Sequence, residues 1–182
     1  MKPIKENFYS KDEALNLLNK IDSWIGNCDT KFSILLALLG IFFGLTINVF
    51  STFTKLRNMI SIWDETIKLD KLICIICCVF VLSYIILIIL CTIFSILGIN
   101  AKIKNTTNNP LFFGNIAKFK NIKEFEQSIK DITGDEYIKF LNEQIYTNSK
   151  ICTKKYLYYK KSLFCLFTAI IIAIISLLLL SI

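Results

Sequence analysis

The chain has 182 residues, of which 54% are hydrophobic, and it carries a formal net charge of +7. Its mean hydropathy of +0.57 is well above that of an ordinary soluble domain. Because it contains no histidine, it lacks the usual general base, the usual zinc ligand and every Ser–His or Cys–His arrangement. It has no glycine-rich phosphate loop either, so we expect no enzyme, no catalytic residue and no cofactor.

Three uncharged apolar stretches, at residues 32–50, 72–97 and 162–182, dominate the sequence. A hydrocarbon core about 30 Å thick takes roughly 20 residues of helix, so each stretch is long enough to cross it. The stretches are continuous rather than alternating, which favours helices over a barrel. We therefore predict an all-α integral membrane protein with three transmembrane helices and a small cytoplasmic helical module, whose last helix is continuous with the third span.

The predicted segments follow one another without a gap. They are an amphipathic N-terminal helix at residues 1–31, the first span at 32–50, a short outer loop at 51–71, the second span at 72–97, the cytoplasmic module at 98–161 and the third span at 162–182.

Lysine and arginine are distributed unevenly between these segments. Five precede the first span, four lie between the first two spans, and twelve lie between the second and the third. The positive-inside rule then places the N-terminus and the long loop in the cytoplasm, in a multi-pass protein of the inner membrane. We expect this charge to face anionic membrane lipid rather than nucleic acid.

The N-terminal segment begins with a capping box, in which Ser10 can accept a hydrogen bond from the start of the helix while Glu13 reaches back. An apolar stripe follows at helical spacing, made of Leu15, Leu18, Ile21, Ile25 and Cys28. A helix of this kind can lie on the membrane surface or pack on the cytoplasmic module, and both interpretations stay open.

Asp29 and Lys31 lie at the cytoplasmic lip of the first span. A carboxylate at that depth is costly unless it is paired, so we predict that the two residues form a polar pair, with lysines near Tyr156 as alternative partners. A simple interfacial stop signal is the other interpretation.

Gly40 and Gly44 form a Gly-x-x-x-Gly pair in the first span, with Ala37 one turn earlier. Small residues at this spacing let two helix backbones approach closely. The pair therefore serves either packing within the monomer or self-association.

The long loop between the second and third spans is predicted to form a helical module. Asn121 and Glu124 make an Ncap-to-N3 pair that opens a short helix. Gly134 is expected to end that helix, and Asp135 to cap the next one. No helix breaker separates Asp135 from the third span, so we predict one unbroken helix from about Asp135 to the C-terminus.

The cysteines do not indicate a metal site. Cys74, Cys77 and Cys78 form a Cys-x-x-Cys-Cys run within the second span, without a second pair or a histidine partner. A cysteine inside a span behaves as a small apolar residue, so we predict no metal ligand here.

Three stretches resemble, in order, the transmembrane effectors of Pycsar anti-phage systems. Residues 27–32, Asn-Cys-Asp-Thr-Lys-Phe, are similar to the start of the first span in that family. Residues 109–116, with the Phe-Phe-Gly stretch, resemble the segment after its second span, and residues 141–156 resemble the Gln-Ile…Lys-Tyr helix before its last span. The resemblance covers nearly the whole chain.

The resemblance implies activation by a cyclic pyrimidine nucleotide, cCMP or cUMP, made by a partner pyrimidine cyclase after phage infection. The activated effector, expected to be a homo-oligomer, then impairs the inner membrane. Such a ligand needs a cation or backbone amides for its phosphate, a ring to stack on its base and an amide to read the base edge. The module offers these groups in Phe112, Phe113, Gln144, Asn148, Lys155 and Tyr156.

The alternative is a ligand-independent, holin-like or toxin-like pore-forming protein of three spans. The module of about 64 residues disfavours it, because a pore former without a ligand has no need of such a segment.

Overall fold

The computed structural model describes residues 9–48, 68–102 and 109–181. These ranges contain five helices and no strand, which confirms the all-α class. The helices are α1 (Lys11–Asn48), α2 (Lys68–Ile99), α3 (Phe113–Ile116), α4 (Ile122–Lys130) and α5 (Gly134–Ser181).

Three of the described helices, α1, α2 and α5, are long and apolar enough to cross a membrane. The predicted number of spans is therefore confirmed, and the chain is a multi-pass membrane protein. Helix α5 is a single helix of 48 residues, so the last helix of the module is continuous with the third span as predicted.

The chain divides into two compact units. We call the first, Met1–Cys28 and Ala101–Lys155, the polar module, and the second, Asp29–Asn100 and Tyr156–Ile182, the apolar bundle. Helices α1 and α5 each contribute to both units.

The predicted capping box at Ser10 and the predicted Ncap-to-N3 pair of Asn121 and Glu124 are both present. The Glu13 carboxylate accepts from the backbone N–H of Ser10 at 2.6 Å, and the Glu13 N–H donates to the Ser10 hydroxyl at 3.3 Å. At α4, the Glu124 N–H donates to the Asn121 side chain at 2.9 Å. The Glu124 carboxylate accepts from the Lys120 N–H at 3.0 Å. At both helix starts, side chains therefore accept hydrogen bonds from backbone N–H groups that have no partner within the helix.

The predicted cap at Asp135 is wrong, because α5 begins one residue earlier and Thr133 caps it. The Glu136 N–H donates to the Thr133 hydroxyl at 3.3 Å, and the Glu136 carboxylate accepts from the Thr133 N–H at 2.9 Å. Hydrogen bonds from the Thr133 backbone and hydroxyl lower the pKa of Glu136. Gly134 is the first residue of α5, and α4 already ends at Lys130.

The core of the polar module settles the role of the N-terminal stripe. Ala14 and Leu18 of α1 are buried against Leu141 of α5, and the half-buried neighbours of this cluster are Leu15, Tyr137 and Ile145. Ile21 and Cys28 of the same stripe are also buried. The first part of α1 therefore packs within the module, which is one of the two interpretations that its sequence allowed.

The apolar bundle has its own core, formed by side chains of α1, α2 and α5. Its buried members are Leu35, Leu39, Ile88, Cys91, Cys165, Leu166 and Ala169. Two buried hydroxyls beside this core have partners: Ser95 donates to the Cys91 carbonyl at 2.8 Å, and Ser95 and Ser162 lie 3.2 Å apart. Hydroxyl contacts of this kind join helices in a medium that offers no water.

A close approach in the bundle depends on Gly98. A Cβ placed there would lie 2.0 Å from the Cζ atom of Phe32. The Phe32 ring is fully buried and meets the Tyr159 ring edge-on, with ring centroids 5.8 Å apart. Glycine at position 98 thus makes room for an aromatic ring from α1.

Candidate ligand-binding site

The segment after the second span is held on α5 by Asn109, which is 2% exposed. Its side-chain amide donates to the Phe140 carbonyl at 3.2 Å and accepts from the Leu111 N–H at 2.9 Å. Its own carbonyl accepts from the Asn115 side chain at 2.9 Å. The sequence indicated only a loop at Asn109, since a buried amide cannot be distinguished there from an exposed turn residue.

Phe112 and Gln144, two of the predicted ligand residues, belong to this docked region. The Gln144 side chain donates to the Leu111 carbonyl at 3.5 Å, and Phe112 is half-buried. An added Cβ at Gly114 would lie 3.1 Å from the Phe112 ring, so that glycine fits the ring closely. The side chain of Phe113, a third predicted residue, lies outside the described part of the structure.

Asn148 is used between two helices of the module. Its side-chain amide donates to the carboxylate of Asp22 on α1 at 2.8 Å. This hydrogen bond links α5 to α1. It is stronger than a bond between two neutral groups, because its acceptor is a carboxylate. A ligand that takes Asn148 must therefore replace this bond.

Two thiols, those of Cys28 and Cys152, lie near Lys155, the last residue of the polar module. Cys28 is buried, and Cys152 of α5 is half-buried close to it. Burial, and then Cys28, raise the pKa of Cys152, while Lys155 partly offsets the rise. Lys155 itself is only 5% exposed, so its ammonium is not on the open surface.

Tyr156, the last of the predicted ligand residues, is assigned to the apolar bundle. The residue is 46% exposed, and the Lys160 ammonium lies 4.9 Å from the centroid of its ring. Tyrosine under a cation next to an apolar helix is typical of an interfacial anchor.

The polar pair predicted at the lip of the first span lies in the bundle. Asp29 is half-buried, and its carbonyl accepts from the Ser33 hydroxyl at 3.0 Å. The Lys31 ammonium lies 5.7 Å from the centroid of the Tyr159 ring. An ion pair between Asp29 and Lys31 stays a prediction.

Gly40 and Gly44 are both exposed on α1. A Cβ added at either position would meet no described atom within 4 Å. Within the described part of the chain, the pair therefore makes no close helix packing, and the face remains open to lipid or to a second copy.

An open groove runs along α5 within the polar module, with a volume of about 490 Å³. It is lined by Asp135, Ile138, Lys139, Asn142, Glu143 and Tyr146. These residues recur at helical spacing beside the buried face of α5, so they share one side of the helix. Sequence reasoning missed them, although a ring, an amide and a cation at this spacing are visible in the sequence.

Two contacts fix side chains at the groove. The Tyr9 hydroxyl donates to Oδ1 of Asn142. The two N–H donors of the Asn142 amide therefore point away from Tyr9. Tyr146 is 63% exposed, and the Lys150 ammonium lies 4.1 Å from the centroid of its ring. The groove thus presents an exposed ring, an oriented amide and lysine cations.

Comparisons with known proteins agree along nearly the whole chain. Residues 13–182 match the PycTM family, described as the Pycsar effector protein domain. The Pycsar effector protein GmPycTM of Gulbenkiania mobilis is 32% identical over 177 residues, which cover 91% of this chain and 90% of that relative. No solved structure matches the chain. With its three apolar helices and this full-length similarity, the chain belongs to the PycTM family of Pycsar effector proteins.

Proposed function

We propose that the protein is an anti-phage membrane effector that a cyclic pyrimidine nucleotide, cCMP or cUMP, activates. A partner pyrimidine cyclase supplies the nucleotide, and the activated effector impairs the inner membrane. Membership of the Pycsar effector family, over almost the entire chain, carries this proposal. The continuity of α5 supports it, because one helix contains both module residues and a membrane span.

The protein acts in this proposal by binding and conformational change, not by catalysis. A ligand shifts a two-state protein only through its different affinities for the two states. Tenfold tighter binding to the active state supplies about 1.4 kcal/mol, which is enough to redistribute a nearly balanced equilibrium. The sequence predicts the ligand contacts at residues whose side chains offer the groups that such a nucleotide needs, and these contacts stay predictions: Phe112, Phe113, Gln144, Asn148, Lys155 and Tyr156.

Titration with nucleotides tests the proposal. Purified protein in detergent, titrated by calorimetry with cCMP, cUMP, cAMP and cGMP, is expected to bind one pyrimidine nucleotide with micromolar or tighter affinity, about −8 kcal/mol. The purine nucleotides serve as the control for unspecific phosphate binding. Binding of none of the four would favour the alternative, a pore-forming protein without a ligand.

The orientation follows from the charge distribution. Seventeen lysines and arginines precede the first span or lie between the second and third spans, and four lie between the first two spans. We therefore propose that the N-terminus and the polar module are cytoplasmic. Reporter fusions at residue 105 and at the C-terminus are expected to report opposite sides of the inner membrane, and fusions that report the same side would contradict the three-span topology.

Self-association through Gly40 and Gly44 completes the proposal. The open face around both glycines lets the backbone of a second copy approach, in the manner of small residues spaced four apart. Replacing both by Leu is expected to abolish nucleotide-triggered depolarisation of cells while nucleotide affinity stays unchanged. Replacing exposed Ile34 and Leu38 by Val is the control, and normal depolarisation in the glycine variant would remove this face from the mechanism.

A further inference from the structure

We propose that the groove on α5 is the nucleotide site, with Tyr146 stacking on the base, Asn142 and Glu143 reading its edge and Lys139 neutralising the phosphate. This assignment rests on the proposed function and names the residues that carry it out. The groove has a volume of about 490 Å³ and is shallow, so a bound nucleotide lies against one face of α5 and is not enclosed.

The residues first expected to bind the ligand have other roles in the module. Gln144 donates to the Leu111 carbonyl, Asn148 donates to Asp22, and Lys155 is 5% exposed. Binding through them requires the module to give up its own contacts. The groove offers the same three kinds of group on an open surface, and a ligand that bonds to the N–H donors of Asn142 leaves the hydrogen bond from Tyr9 in place.

Tyr146 is the stacking platform. Tyr146 is 63% exposed, so removal of its ring takes little from the core of the module. Lys150 lies over the ring at 4.1 Å, which holds the ring in place by a cation–π contact. Every base has a π-face, so stacking supplies affinity and leaves base choice to other groups.

Asn142 and Glu143 supply that choice. Because Oδ1 of Asn142 already accepts from Tyr9, its N–H donors are directed to the ligand, where they match the C2 carbonyl that cytosine and uracil share. The Glu143 carboxylate accepts from the exocyclic amine of cytosine, whereas it would oppose the O4 acceptor of uracil. The groove is therefore selective for cCMP over cUMP.

Lys139 lies one turn before Glu143 and two turns before Tyr146 on the groove side, about 10 Å along the axis from Tyr146. That length suits a base at one end and a phosphate at the other. The groove lining carries two carboxylates, Asp135 and Glu143, and one cation, Lys139, while Lys150 beside Tyr146 adds a second cation at the edge of the groove. The phosphate therefore depends on a direct contact with Lys139 rather than on a positive field of the whole groove.

Calorimetry with cCMP and cUMP on full-length variants in detergent tests the site. Tyr146→Ala is expected to weaken cCMP binding by about tenfold or more, whereas Tyr146→Phe, which keeps the ring, stays close to wild type. Lys139→Ala is expected to weaken binding by about tenfold and to reduce its salt dependence. Lys123→Ala on α4, which removes another exposed charge, serves as the matched control and is expected to leave cCMP affinity unchanged.

Glu143→Gln gives the sharpest result, because its new amide can donate to O4 of uracil. We expect the variant to lose about tenfold in cCMP affinity and to bind cUMP at least as well as wild type does. Wild-type binding that none of the groove variants changes would overturn the site and leave the proposed function standing. Wild-type preference for cUMP would overturn the role of Glu143, and no wild-type binding would overturn the proposed function itself.

Discussion

Inserting two glycines after Lys155 is expected to abolish nucleotide-triggered depolarisation while nucleotide affinity stays within several-fold of wild type. Lys155 is the last residue of the polar module, so the insertion leaves the Asn148–Asp22 hydrogen bond and the groove intact. Helix α5 continues from there through the third span. Each glycine weakens a helix by roughly 1 kcal/mol, and two extra residues turn the following helix by about 200°.

Calorimetry on purified protein and a potential-sensitive dye in cells that express the cyclase measure the two halves of this prediction. The same two glycines inserted after Asp131, in the short connection between α4 and α5, form the control. That variant keeps α5 unbroken and is expected to depolarise cells normally. If the insertion after Lys155 also depolarises cells normally, α5 does not transmit the signal, and α1, the other helix common to both units, becomes the candidate.

Local rules predicted the parts of the structure that depend on neighbouring residues. Uninterrupted apolar runs predicted the three long helices, and the pairs Ser10–Glu13 and Asn121–Glu124 predicted two helix starts. At the start of α5 the sequence contains two candidate N-cap residues. Thr133 and Asp135 are both good caps, and Thr133 prevails because Glu136 lies three residues later and closes the box.

The partners of polar side chains could not be predicted in the same way. Asn109 and Asn148 find their partners 31 and 126 residues away, at Phe140 and Asp22. A single sequence contains no signal for such distances, so an amide that holds the module together looks the same as one free to bind a ligand. Our proposal of Asn142 in place of Asn148 as a ligand group therefore rests on the packing of α1 on α5, which the sequence does not contain.

The contact between Phe32 and Gly98 was equally invisible, since the two residues lie 66 positions apart on different spans. Phe32 reads in the sequence as one more apolar residue of the first span. In the bundle it fills the space that the missing side chain of Gly98 leaves, and its ring also meets Tyr159. Two residues with such different volumes therefore act as one packing unit.

The contact between Phe32 and Gly98 leads to a prediction about the stability of the single and double variants at these positions. Gly98→Ala places a methyl group 2.0 Å from the Phe32 ring, so the bundle must shift, at a cost of about 1–3 kcal/mol for overpacking. Phe32→Ala removes a fully buried ring and is expected to cost about 3–5 kcal/mol. In the double variant the clash is gone and the new methyl group fills part of the cavity, so the two costs do not add.

Thermal unfolding in detergent, followed by circular dichroism, measures the four members of this double-mutant cycle. We expect the double variant to be more stable than the sum of the single effects predicts, by about 0.5–3 kcal/mol. Gly26→Ala in α1 is the matched control, because a Cβ there meets no described atom within 4 Å. Since alanine is the better helix former by up to about 1 kcal/mol, this control is expected to leave the midpoint unchanged or to raise it. Strictly additive effects at positions 32 and 98 would mean that the ring of Phe32 does not rest on Gly98.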